Sequence, residues 1–146
     1  MIVDDLKLTG CLTVNLVAED GSIKETQNIP NLVVASGKAF VASRIAGTSS
    51  NVMSHMAIGT TNTAAITSNT TLGGEVARVA LASTTPSGND VVYVGTFPAQ
   101  TPSSDAGVVE AGIFNPTGTM LCRTVFSIIN KAPTDSLSIQ WTISAS

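Results

Sequence analysis

The stretch 108–129, VVEAGIFNPTGTMLCRTVFSII, constrains this chain more than any other. Two apolar runs rich in Val, Ile and Phe flank Asn115-Pro116-Thr117-Gly118. Asparagine first, proline second and glycine fourth are the residues a type I turn prefers. Proline presets φ at the first central position, and glycine admits the positive φ that a following bulge needs. The spacing therefore predicts a long β-hairpin whose residues belong to a core and not to a catalytic centre.

The last stretch of the chain is patterned still more cleanly. Leu137, Ile139, Trp141 and Ile143 alternate with Ser138, Gln140, Thr142 and Ser144, as in an antiparallel sheet wet on one side. Near the start, Leu8, Leu12, Val14 and Leu16 share one face, with Thr9, Thr13 and Asn15 on the other. Asp20-Gly21 is a turn signal, and residues 23–29 return as a second, more polar strand. After Pro30-Asn31 the period changes. Val33, Gly37, Phe40, Val41, Arg44 and Ile45 recur at helical spacing, predicting one helix over about 32–46. Asn31 is its expected N-cap and Gly47 its expected C′ residue. Its many small residues suit close packing on a sheet, as internal support.

Further strands are expected over 52–59, 75–83 and 91–97, with a turn at 86–90. Residues 60–74 (TTNTAAITSNTTLGG) and 98–106 (PAQTPSSDA) show neither period and are expected as long irregular loops. Eight or nine strands, one helix and no βαβ alternation predict a mainly β fold. The expected form is an antiparallel β-sandwich or jelly-roll-like barrel with one short α-helix. One domain spans 1–146, with residues 1–6 as a contact arm.

Charge narrows the function. Asp, Glu, Lys and Arg make up 12% of the chain, about half the usual share, while Ser and Thr fill 35 of the 146 positions. The surface must be largely hydroxyls, amides and small apolar groups, which lose little hydration when covered. Net charge is −3 and no Lys/Arg run exists, so nucleic acid phosphates find no electrostatic footprint. No apolar run approaches the ~20 residues of a membrane-spanning helix. Met1-Ile2-Val3-Asp4-Asp5 carries acids where a signal peptide carries bases, which points to synthesis and folding in a cytoplasm.

Candidate chemistry is sparse. His55, the only histidine, has Ser54 and Met56 beside it and reads as structural or surface. Cys11 and Cys122 lie in apolar runs and read as core thiols, with no metal pattern around them. Glu75, Arg78, Glu110 and Arg123 are charges set inside apolar strands, where ions are costly unless paired. Paired carboxylates for glycoside hydrolysis are one reading; the favoured one is a Glu–Arg network fixing strand register. A plain turn places Glu110 opposite Arg123, whereas a bulge at Gly118 places Arg123 opposite Ala111 on the other face. Gly59 and Gly73-Gly74 lack a phosphate-loop lysine, and aromatic residues are too few for a stacking platform.

A set of short motifs runs through the chain. They are Asn31-Leu32-Val33 with Gly37-Lys38, Met56-Ala57-Ile58-Gly59-Thr60, Leu72-Gly73-Gly74-Glu75 with Arg78, and Glu110-Ala111-Gly112-Ile113-Phe114-Asn115. Met120-Leu121-Cys122-Arg123-Thr124 with Phe126, then Lys131, Asp135-Ser136-Leu137 and Ile139-Gln140-Trp141 complete the set. Together they resemble the small β-rich virion structural proteins of tailed bacteriophages, capsid cement or decoration proteins and tail-associated components. The resemblance covers about 31–143. It implies a subunit that works by surface contact, with no catalytic residue, cofactor or metal. It implies a virion location, on the capsid surface before the tail, and the major capsid protein and copies of itself, as dimer or trimer, for partners.

Assembly contacts are expected from Met1, Ile2 and Val3, from Thr60, Thr61, Asn62 and Thr63, and from Pro98, Thr101 and Pro102. The alternatives are a tail or fibre-base protein forming rings, and a glycan-binding or glycan-cleaving module.

Overall fold

A computed structural model of the protein describes residues 6–48 and 51–146. Two five-stranded antiparallel sheets face each other as a β-sandwich. In chain order the elements are β1 (Leu8–Val17), β2 (Ile23–Pro30), β3 (Leu32–Val33), α1 (Ala35–Ile45), β4 (His55–Gly59) and β5 (Glu75–Ala80). They continue with β6 (Ser83–Ser87), β7 (Asp90–Phe97), β8 (Ala106–Phe114), β9 (Met120–Lys131) and β10 (Ser136–Ala145). The first sheet runs β2-β1-β10-β7-β6 and the second β3-β9-β8-β4-β5.

Alternation decides what each sheet buries. In the first sheet Leu12, Val14, Leu16, Tyr93, Phe97, Leu137, Ile139 and Trp141 point inward, with Leu12 opposite Trp141 and Trp141 opposite Tyr93. They meet Met56, Ile58, Val108, Ala111, Ile113, Cys122 and Ile129 of the second sheet in one core. Gly95 admits the Met56 thioether, which a β-carbon there would strike. The outward face of β1 and β2 is a polar ladder: Thr13 donates to Asn28 Oδ1 (2.8 Å) and Thr26 to Asn15 Oδ1 (2.7 Å).

Both lateral edges are corners where the chain passes from one sheet to the other. At one, β2 runs into β3, and Thr124 Oγ1 of β9 donates to Pro30 O (2.9 Å). At the other, Leu81 N bonds Ser54 O in the second sheet while Ala82 N bonds Val94 O in the first. Pro86 therefore lies inside the exposed edge strand β6, and the expected strand over 75–83 is two strands with a corner between. The strand expected from residue 52 begins at His55.

The helix starts later than its periodicity predicts. Leu32-Val33 pair with Arg123 and Cys122 as β3, because their backbone groups find a ladder on β9. Asn31 is not the N-cap; Val34 is, with no side-chain bond. The cap comes from elsewhere: Ala35 N donates to Thr67 O of the 60–74 loop (2.8 Å). Asn31 instead lies over Gly10, a site only glycine leaves open. Gly47, at φ +72°, closes the helix as expected.

Nor is α1 internal. Gly37 alone is buried, and Ile45 is 78% exposed. Gly37 rests on the Leu121 carbonyl so closely that a β-carbon has no room. Gly37→Ala gains about 1 kcal/mol of helix propensity, yet should destabilise the protein by about 1–3 kcal/mol through overpacking. Urea unfolding measures the balance, and a stabilised variant contradicts this packing.

Cys122 is buried on the inner face of β9, and burial pushes its thiol pKa up. Cys11 is exposed, contrary to the core placement expected from its apolar neighbours. Its partner on β10 is Thr142, on the polar face, so the alternation of β1 overrides local composition.

Candidate functional site

The outer face of the second sheet carries the chain's most concentrated chemistry. Glu110 sits mid-strand in β8, fully buried, and Arg123 of β9 is 2% exposed. Their ion pair spans 3.1 Å from Arg123 Nη2 to Glu110 Oε1, with Nε also donating at 3.2 Å. Neither register expected from the turn occurs. Arg123 lies opposite Gly112, and Glu110 opposite Val125.

Two irregularities produce this. Gly118, at φ +94°, closes the turn with its N–H to Asn115 O (3.1 Å), while Asn115 N bonds Thr119 O. Asn115 Oδ1 accepts from Thr117 N and Thr119 N, locking the turn. A second shift then falls between Phe114–Met120 and Ile113–Cys122, leaving Leu121 extra and turned, like Cys122, into the core. The two shifts restore parity, so Arg123 returns to Glu110's face as its diagonal neighbour.

The Glu110 carboxylate is more than an ion-pair partner. Oε1 accepts Gly73 N (2.8 Å), and Oε2 accepts Gly74 N (2.7 Å) and Thr61 N (3.0 Å). Arg123 Nη1 reaches Asn69 Oδ1 (3.2 Å), which also accepts Ile66 N (2.9 Å). Leu72 enters a second small core with Val34, Ala57, Phe114 and Met120. One carboxylate and one guanidinium thus clamp both ends and the middle of the 60–74 loop onto the sheet. Proton transfer needs an accessible lone pair on the carboxylate; here five donors and full burial occupy the oxygens.

The other two strand charges pair with each other. Arg78 and Glu75 are 2.7 Å apart on β5, three residues along one strand, where alternation alone would set them on opposite faces. A bulge makes up the difference: Glu75 faces Gly59 while Ala77 faces Ile58, leaving Val76 extra. Arg78 also stacks over Phe114, 4.1 Å from the ring centre. His55 Nδ1 meets the Ser54 hydroxyl at 2.7 Å. Among the described residues no group of His, Cys, Asp and Glu is set to hold a metal.

Of the expected assembly contacts, Thr60, Asn62 and Thr63 are exposed on the clamped loop, and Thr61 is half-buried beneath it. Pro98 is exposed, while Thr101 and Pro102 are half-buried. Met1, Ile2 and Val3 lie outside the described residues. The 98–106 loop docks on the β9–β10 turn: Gln100 N donates to Pro133 O (2.7 Å) and Lys131 Nζ to Pro98 O (3.3 Å).

Sequence reasoning missed a second charged cluster at this end. Asp135 accepts Ala132 N (2.9 Å) and pairs with Lys24 (3.0 Å). These bonds hold its carboxyl below the usual value. A depressed folded-state pKa contributes stability above the unfolded value of about 3.9, lost as pH falls through the folded one. Asp135→Asn should flatten the acid limb of a stability–pH curve below about pH 4. An unchanged acid limb in denaturant melts rules this out.

No protein-family model matches the chain, and comparison with characterised proteins and with solved structures returns no match.

Proposed function

We propose that this chain is a virion structural protein of a tailed bacteriophage, a capsid cement or decoration subunit that bridges neighbouring coat subunits. The observation that carries the reading is the clamped loop. The chain commits its buried Glu110–Arg123 pair to fixing residues 60–74, a surface segment with no ionisable side chain. A rigid face of hydroxyls and amides loses little hydration on contact and little entropy on docking. Such a face suits adhesion, and repetition over a symmetric shell multiplies weak contacts into avidity. The sequence motifs set out above point to the same class of protein.

The partners under this reading are the major capsid protein and further copies of the chain. The test is binding to particles that lack the protein, followed by imaging of where it sits. Saturable binding at symmetry-related capsid positions, lost when Thr60, Asn62 and Thr63 are replaced together by lysine, is the expected result. Density confined to the tail moves the protein to a ring-forming tail role. No binding to any part of the particle removes the proposal.

A further inference from the structure

The 60–74 loop is fixed at its tip as well as at its base. Residues 66–69 form a closed turn: Asn69 N donates to Ile66 O (3.1 Å), and Ile66 N donates back to Asn69 Oδ1 (2.9 Å). The same Asn69 Oδ1 accepts Arg123 Nη1 (3.2 Å), and Arg123 is held in turn by the buried Glu110 carboxylate. Thr67 O is tied to the first turn of α1 through Ala35 N (2.8 Å). The tip is thus anchored both to a buried ion pair and to a helix.

What this anchoring presents is an isoleucine. Ile66 is 55% exposed, in a loop whose other side chains from 60 to 71 are Thr, Ser, Asn and Ala. A single exposed apolar side chain is ordinary on a protein surface. Two features set this one apart. Its backbone is bonded on both sides of the side chain, so little freedom remains to be lost on contact. The apolar surface also continues beside it, in a hollow of about 450 Å³ walled mostly by Pro30, Leu32, Ala64, Ala65 and Val125. Arg123 lines this hollow too, but its side chain is 3% exposed and committed to Glu110 and Asn69.

We infer that Ile66 is the anchor of the docking face, and that its partner is an uncharged surface of the coat subunit. That surface offers an apolar socket to Ile66 and an apolar side chain to the hollow. This deepens the virion reading above and rests on it for the identity of the partner. Charge decides the chemistry of the partner surface. Residues 60–74 have no ionisable side chain, so a charged group brought against them would lose hydration and find no counter-ion. Binding energy at such faces concentrates in a few well-held residues whose neighbours exclude water around them. Asn69 is a positioning residue, acting through Ile66 by fixing where that side chain stands.

The test measures the affinity of purified variants for particles that lack the protein. Ile66→Ala, at an exposed site where the fold loses little, should weaken binding roughly tenfold or more. Ile66→Val should bind nearly as the wild type does. Ile66→Thr has the shape of valine with a hydroxyl, and should bind as weakly as alanine, because an apolar socket strips that hydroxyl of water. Asn69→Ala should weaken binding by itself and add nothing to Ile66→Ala, since both act through one side chain. Affinity should hardly change between about 0.05 and 0.5 M salt.

An Ile66→Ala variant that binds particles like the wild type overturns the inference and leaves the virion reading standing. An affinity that falls steeply with salt, or a threonine variant as tight as valine, does the same. Losses for Asn69→Ala that add fully to those of Ile66→Ala remove the positioning role. Loss of self-association in Ile66→Ala, with particle binding intact, puts a second copy of the chain on this face in place of the coat subunit. Wild-type protein that binds no part of the particle removes the virion reading and this inference together.

Discussion

Glu110→Ala is expected to destabilise the protein by about 3–5 kcal/mol, because it strands a buried guanidinium and undoes a loop at once. For a chain of this size that lowers the melting temperature by roughly 6–20 °C. Arg123 would keep a charge at 2% exposure with its carboxylate gone, and the amides of Thr61, Gly73 and Gly74 would lose their acceptor. The two partners are not equivalent. Arg123→Met leaves Glu110 with those three backbone donors, so it should cost less than Glu110→Ala. The double variant should also be milder than Glu110→Ala alone, since no unpaired ion stays buried.

Amide hydrogen exchange gives the local readout. In Glu110→Ala the protection of Thr61, Gly73 and Gly74 should fall far below that of the β8 and β9 ladder, because the loop opens while the sandwich persists. Protection that stays at the wild-type level would show the loop to be held by Leu72 and its apolar neighbours instead. The same variant bears on the proposed function. A loosened 60–74 loop must pay ordering entropy on docking, so particle binding should weaken while the fold survives.

Trp141→Ala carries the second large effect, about 3–5 kcal/mol or again roughly 6–20 °C. Trp141 is fully buried at the centre of the first sheet, between Leu12 of β1 and Tyr93 of β7. Removing the indole leaves a cavity between two well-connected sheets that have little freedom to collapse. Its ring N–H, however, is buried without an acceptor among the described residues. An unpaired buried donor costs about 1–3 kcal/mol. Trp141→Phe, which keeps most of the ring and drops the N–H, should therefore cost much less than alanine. A loss for Trp141→Phe as large as that for Trp141→Ala in denaturant unfolding would contradict both the cavity and the unpaired-donor accounts of the site.

The β-sandwich and its core were written in short-range patterns. The alternation of 137–143 and of 8–16 names the inward residues directly, because a strand has period two and one face must be dry. The Asn115–Gly118 turn was equally plain, since proline and glycine act on their own dihedrals. Where sequence reasoning slipped, a competing partner lay far along the chain. Leu32 and Val33 fit a helical period, yet β9 offers them a ladder, and Thr67 does the capping assigned to Asn31. Cys11 lies in an apolar run, yet register turns it to the polar face.

The candidate site shows the same division. That Glu75, Arg78, Glu110 and Arg123 need partners followed from the expense of placing ions in apolar strands. Which partners they find depends on single-residue bulges at Leu121 and Val76, each of which reverses the facing of everything beyond it. Composition made residues 60–74 a low-charge surface loop; that it is pinned by a buried carboxylate from β8 required the sheet to exist first. By itself the sequence determined that the long strands β1, β8, β9 and β10 form and which face of β1 and β10 carries the core side chains, because alternation depends on neighbours two residues away. Only the tertiary structure decided which charges meet and how the loop is held. Those depend on register summed over whole strands, where one extra residue changes the outcome.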